Sequence, residues 1–309
     1  MNNYFLLLFL LAASVANAQI SEKKLKKHIH YLAADHMKGR QTGSKEAETA
    51  ATYIETHFKK YGLRPMGADG FRQQFEAKVK RVVVKDSIRS TVNIIGFLDN
   101  DALYTIVVGA HYDHIGYGDL GNSKDSLNIG KIHNGADDNA SGVAGLLELA
   151  KYYAKNGVKE RFNLLFIAFG AEELGLLGSK YFVEHPVMPL NTIHWMLNMD
   201  MIGRYNPDNG VAVIGYGTST GFPEIFKGIT AGIKFYTSRD GSGGSDQTSF
   251  YKKQVPVLFF HTGGHPDYHK TGDDPAKINF NALKSILELE IRVIDRSMTV
   301  PKMDFTPTN

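Results

Sequence analysis

A chain of 309 residues, 43% apolar and 22% charged, has the composition of a soluble globular protein with room for one large domain or two ordinary ones. Its net charge of +3, without a long basic block, argues against a nucleic-acid partner, and the lysines at 23, 24, 26 and 27 read as the solvated face of a first helix. There is no cysteine, so disulfides and thiolate ligands are excluded, and any metal must be held by His and carboxylates.

Tyr4 to Val15 is almost wholly apolar and is followed by the small-x-small sequence Ala16-Asn17-Ala18 before Gln19. That outline is a cleaved secretory signal over residues 1–18, although no Lys or Arg precedes the apolar run. The run is shorter than the ~20 residues a membrane span needs, so no stable anchor is expected after cleavage. The expectation is an exported protein, periplasmic or extracellular, with one domain over residues 19–309.

Beyond the signal, Lys23 to Leu32 reads as a helix and Ser44 to Tyr61 as a longer one, opened by a Ser cap and ended by Gly62. Ala47, Ala50, Ala51, Ile54 and Phe58 recur at helical spacing and predict a core-facing stripe. Gln73 to Val84 and Thr91 to Leu98 have the β-branched alternation of strands, and the wholly apolar run Thr105 to Ala110 predicts a strand buried on both faces. A loop rich in Gly, Asp and Asn, Gly116 to Gly135, leads into Asn134-Gly135-Ala136-Asp137-Asp138-Asn139-Ala140-Ser141-Gly142 and a helix from Ala140 to Asn156. Strands at Asn163 to Phe169, Thr192 to Met199, Val211 to Ile214 and Val255 to Phe260 follow, with helices at Glu172 to His185 and Phe280 to Arg296. Such alternation predicts an α/β fold: a three-layer sandwich whose mixed, mainly parallel sheet is covered by helices on both faces.

The titratable residues fall on that outline in one pattern. His111 and Asp113 follow the strand ending at Ala110, and Glu172 and Glu173 follow the strand ending at Phe169. Asp200 follows Met199, and His261 and His269 lie at or beyond the end of the strand ending at Phe260. In open α/β sheets ligands bind outside the carboxyl ends of the strands, so four strands deliver His or carboxylate to one crevice. Imidazole and carboxylate donors suit zinc, and more than four candidates suit a pair of ions ~3.5–4 Å apart sharing a bridging carboxylate. Such a pair activates water for amide hydrolysis, with a carboxylate that is not a ligand taking the proton. Asp113, two residues after His111, is of the kind that orients a ligating imidazole. The adjacent carboxylates Asp137 and Asp138 would by themselves be an ordinary helix start. His133, His194, His261 and His265 read as ordinary polar residues or as residues that support the ligands from behind.

Five segments together resemble the co-catalytic two-zinc exopeptidases of the secreted bacterial leucine-aminopeptidase type. They are His111-Tyr112-Asp113-His114-Ile115-Gly116, Gly135 to Gly142, Phe169-Gly170-Ala171-Glu172-Glu173-Leu174-Gly175, Asn198-Met199-Asp200-Met201-Ile202-Gly203, and Tyr268-His269, in the family's order over residues 90 to 295. The resemblance implies two zinc ions per chain, with His111 and Asp200 on one, Glu173 and His269 on the other, and Asp138 bridging both. It implies Glu172 as general base and acid, Asp113 orienting His111, Tyr268 steadying the developing oxyanion, and a cis peptide after Asp138. The substrate would be a peptide with a free N-terminus, its first side chain read by the loops Gly116 to Gly135 and Tyr205 to Gly244.

Glutaminyl cyclases resemble this scaffold but use one zinc and transfer an acyl group within the substrate; the segment Ala-Glu-Glu-Leu-Gly-Leu-Leu-Gly here is more like the peptidases. A receptor-like domain that has lost its metals is the third alternative. The preferred first residue and the oligomeric state are not legible at this level.

Overall fold

The computed structural model describes residues 19–80 and 84–308; the expected signal at 1–18 and residues 81–83 of the expected strand Gln73 to Val84 lie outside them, and the described strand there ends at Val79. The chain runs α1 (Glu22–Leu32), α2 (Lys45–Tyr61), β1 (Arg64–Pro65), β2 (Arg72–Val79), β3 (Ser87–Leu98), β4 (Thr105–His111), α3 (Gly142–Lys155), β5 (Asn163–Phe169) and α4 (Leu177–Glu184). It continues through β6 (Ile193–Met199), β7 (Val211–Ile214), α5 (Gly221–Phe226), β8 (Phe235–Ser238), α6 (Gln247–Lys252), β9 (Val257–His261) and α7 (Phe280–Ser297).

Among the described residues, nine strands join one sheet in the order β1-β3-β5-β4-β6-β9-β7-β8, with β2 also paired to β3. The central strands β5, β4, β6 and β9 run parallel. Antiparallel pairings at β3 and β7 attach the two flanks. The central strands are the continuous apolar runs of the sequence: every residue of β4, β5 and β6 is buried, as expected of parallel strands covered on both faces. One face is covered by α1, α2, α3, α5 and α7, whose apolar sides form the larger core with Phe166, Trp195 and Leu258. The other face is covered by α4 and α6, which bring Phe182 and Phe250 against Phe169 and Met196. The arrangement is the three-layer mixed α/β sandwich that the alternation implied.

The local signals explain the helix ends. Ser44 Oγ accepts the Ala47 N–H at 3.0 Å, and Gly62 ends α2 at φ 85°, so α2 is capped at both ends and points its Ala/Ile/Phe stripe inward. One expected helix starts later than its composition suggests. The stretch from Glu172 is not helical until Leu177, because Ala171, Gly175 and Leu176 take left-handed backbone angles and fold residues 171–176 into tight turns. The helix expected from Ala140 likewise begins at Gly142, after an irregular wide turn over Ala136–Ser141.

Candidate metal centre

The crevice lies outside the carboxyl ends of the parallel strands. β4 ends at His111, and β5 leads through Gly170 into Glu172 and Glu173. β6 ends one residue before Asp200, and β9 feeds the loop that carries Tyr268 and His269. Asp138 comes from the wide turn before α3, and its peptide bond to Asn139 is cis, as the resemblance implied.

Asp138 sits between two groups of donors. On one side His111 Nε2 is 3.4 Å from Asp138 Oδ1 and 3.3 Å from Asp200 Oδ1. On the other, His269 Nε2 is 3.1 Å from Asp138 Oδ2 and 3.2 Å from Glu173 Oε2. The buried sets His111, Asp138, Asp200 and His114, Asp138, Glu173 each offer one donor atom within 4.8 Å of the others. His111 Nε2, His114 Nε2 and Asp200 Oδ1 are buried without a hydrogen-bond partner. His111 Nε2 and Asp200 Oδ1 are close enough to attract one another yet not aligned as a hydrogen bond, the geometry of ligands converging on a shared centre rather than on each other, whereas His114 faces Glu173 through Nδ1. The donor chemistry, the imidazoles of His111, His269 and His114 with the carboxylates of Asp138, Glu173 and Asp200, fits zinc; beside Glu173, both the expected His269 and the unassigned His114 face the centre.

The imidazoles are held from behind. His111 Nδ1 lies 3.1 Å from the Asp113 carbonyl and His269 Nδ1 2.7 Å from the Asn122 carbonyl, so each ring presents Nε2 to the centre. The expectation for Asp113 needs a correction of detail. Its carboxylate is 3.8 Å from His111 Nδ1 and is instead engaged by the N–H groups of Glu172 and Glu173 and by Thr42 Oγ1, so it is the main-chain oxygen that faces His111. The carboxylate thereby fixes the turn that carries both glutamates.

Electrostatics separate those two glutamates. Burial and Asp138 press Glu173 towards protonation, but His269 and His114 outweigh them and its pKa falls below the usual carboxylate range. Burial drives Glu172 well above that range, aided by Asp200, Glu173 and Asp246 against the pull of His111. Asp138 is held well below its ordinary value because His111, His269 and His114 override its burial. Burial likewise pushes the Tyr268 hydroxyl up, so it stays protonated and able to donate at neutral pH.

Several residues that carry this geometry had no separate role in the sequence reading. His114 is buried, with Nδ1 3.0 Å from Glu173 Oε1. Asp273 accepts the N–H groups of Asp137 and Asp138 at 3.0–3.1 Å and so anchors the turn around the bridge. Asn139 links that turn to β6, donating to Met199 O and accepting from Met201 N. Asp137, the other member of the acidic pair, accepts from Gly203 N at 2.6 Å and faces His265 at 3.2 Å. His261 Nδ1 lies 2.8 Å from the Asp200 carbonyl. The only available signal for His114 was its place in the His111–Gly116 segment; the partners of the others are far away in sequence.

The sequence pattern of peptidase family M28 matches residues 93–294, and the chain belongs to that family. A probable leucine aminopeptidase of Arthroderma otae is 28% identical over 255 residues, covering 78% of this chain and 62% of its own. The chain thus spans under two thirds of that relative, and 34% of a leupeptin-inactivating enzyme of Streptomyces exfoliatus to which it is 36% identical over 160 residues. Among solved structures, a glutaminyl cyclase from Bacteroides thetaiotaomicron superposes with TM-score 0.71 at 20% identity, covering 89% of this chain and 98% of that one. At that identity the likeness establishes the fold alone.

Proposed function

We propose that this chain is a zinc-dependent aminopeptidase that hydrolyses the first peptide bond of peptides with a free N-terminus. The observation that carries the reading is the pair of donor groups sharing Asp138, with Glu172 lining the same cavity beside them. Two zinc ions, one among His111, Asp138 and Asp200 and one among His269, Asp138 and Glu173, would supply an activated water and polarise the scissile carbonyl. His114 would hold Glu173 in place through its 3.0 Å contact. Glu172 is the carboxylate outside both sets, suited to take a proton from the attacking water and return it to the leaving amine. Tyr268, which stays protonated, lines the same cavity and would donate to the oxygen that gains charge.

The cavity, of about 460 Å³, supports a substrate assignment. Its lining combines the carboxylates Asp138, Glu172 and Asp200 of the metal centre with the apolar Met201, Ile214 and Phe259 and the small Ser242, Gly243 and Gly244. The carboxylates suit a free α-amino group, and the apolar lining suits a large apolar first side chain. Of the two loops expected to read the first side chain, Tyr205 to Gly244 contributes those three small residues, whereas Gly116 to Gly135 is not among the lining residues and acts from behind through Asn122. The named relative, a probable leucine aminopeptidase, supports the same reading. Export through a cleaved signal over residues 1–18 belongs to the same proposal.

A panel of aminoacyl chromogenic substrates, assayed before and after chelation and again with zinc restored, tests the proposal. Apolar first residues are expected to be cleaved fastest, with activity lost to the chelator and regained with zinc. Activity indifferent to chelation would defeat it.

A further inference from the structure

Arg40 lies outside the segment that matches the family and outside the cavity, yet it is fully buried beneath the metal centre. Among the described residues, its guanidinium bonds to main-chain carbonyls and to no carboxylate. Nε donates to the Tyr112 carbonyl at 2.9 Å, Nη1 to the Asn134 carbonyl at 2.8 Å and to that of Leu32, and Nη2 to the Gly135 carbonyl at 3.0 Å. Tyr112 is the residue between His111 and Asp113; Asn134 and Gly135 begin the strap that turns into Asp138. One planar fork therefore joins the strap of the bridging carboxylate to the strap of His111.

The surrounding segment is shaped to deliver that fork. Lys38, Gly39 and Arg40 all take left-handed backbone angles, at φ 42°, 67° and 43°. A Cβ on Gly39 would fall 2.2 Å from the His133 carbonyl, so the chain approaches closer there than any side chain permits. The Arg40 carbonyl accepts His114 N–H and that of Gly39 accepts Gly116 N–H, while Thr42 holds the Asp113 carboxylate. Asp138, Asp273, Asp113 and Glu173 stabilise the charge of the guanidinium against the cost of burial. A structural filler would need neither the charge nor four carbonyls from three separate stretches of chain.

We propose that Arg40 is a positioning residue of the metal centre, fixing Asp138 and His111 at the separation a metal ion requires; this rests on the zinc reading above. Lys keeps the charge but not the fork, and Met keeps neither and leaves four carbonyls without their donor.

The test is zinc affinity, measured by competition with a chromophoric chelator for the wild type, Arg40→Lys and Arg40→Met, together with the melting temperatures of stripped and zinc-loaded forms. Loss of an outer partner of a ligand weakens metal binding by about 10–100-fold. Arg40→Lys is expected near the lower end and Arg40→Met near the upper, with the melting temperatures of the stripped and loaded forms drawn closer together. Variants that melt lower in both forms alike while binding zinc as the wild type does would overturn the role and leave Arg40 a packing residue. Should Arg40→Met fail to fold, Arg40→Lys with native circular dichroism decides alone. A wild type that binds no zinc would instead sink the metal reading, and the Arg40 role with it.

Discussion

Glu172 and Glu173 are chain neighbours pushed in opposite directions, one towards the acid and one towards the carboxylate. Environments that separate two carboxyls in this way assign them different work. Glu172→Gln is expected to lower kcat by about 10²–10⁴ while zinc content stays at the wild-type level, read by steady-state kinetics and elemental analysis. Full activity in that variant would remove Glu172 from the reaction. Asp138→Asn, in contrast, should bind zinc more weakly at both positions, because Asp138 belongs to both donor sets. Unchanged zinc uptake in Asp138→Asn would refute the shared carboxylate. At this scale the ligand positions were legible because they stand at the ends of apolar strands within short motifs. The roles of Asp273, Asn139 and Arg40 were not, because their contacts join stretches as distant as 136 residues; Asn139 and its partner Met199 stand in marked segments, but nothing local joins the two, and no motif marks Asp273 or Arg40.

Elements with a strong internal period were readable in chain order. α2 has its Ser cap, apolar stripe and terminal glycine where the residues indicated, and β4, β5 and β6 are the uninterrupted apolar runs. α5, α6 and β8 are four to six residues long, too short for a period to emerge from composition, and they are held by their neighbours instead. The start of α4 was misread because helix-compatible residues follow Glu172, whereas the backbone there turns to meet Asp113. Packing of α4 against that turn gives a further expectation. A Cβ on Gly178 would stand 2.2 Å from the Gly170 carbonyl and 2.6 Å from Asn93 Oδ1, in front of the segment that carries Glu172. Gly178→Ala should therefore destabilise the fold by about 1–3 kcal/mol in urea unfolding and lower kcat as the turn shifts. A variant as stable and as active as the wild type would show that the contact relaxes without cost.

For the molecule as a whole, acid stability depends on a histidine remote from the chemistry. His28 joins α1 to α2 through a 2.7 Å contact with Tyr53 Oη and faces the buried Glu148 of α3 at 3.9 Å. Burial, with His57, Lys24, Lys27 and Lys151 nearby, depresses its pKa to about 3. An unfolded His titrates near 6.5, so between about pH 6 and 4 the unfolded chain binds a proton that the folded one refuses. Stability from this group is present above pH 6.5 and is lost as the pH falls towards 3, by up to about 1.4 kcal/mol per pH unit. His28→Gln should flatten the acid limb of unfolding free energy against pH by that slope, and an unchanged limb would contradict it.

The fold by itself does not choose between releasing the first residue of a peptide and cyclising it, since a glutaminyl cyclase shares the architecture. A mass-resolved assay of zinc-loaded protein on two peptides, one beginning with Leu and one with Gln, addresses the proposed aminopeptidase activity most directly. The expected result is shortening of the Leu peptide by its first residue, abolished by Glu172→Gln. Loss of ammonia from the Gln peptide with the Leu peptide left intact would contradict the account.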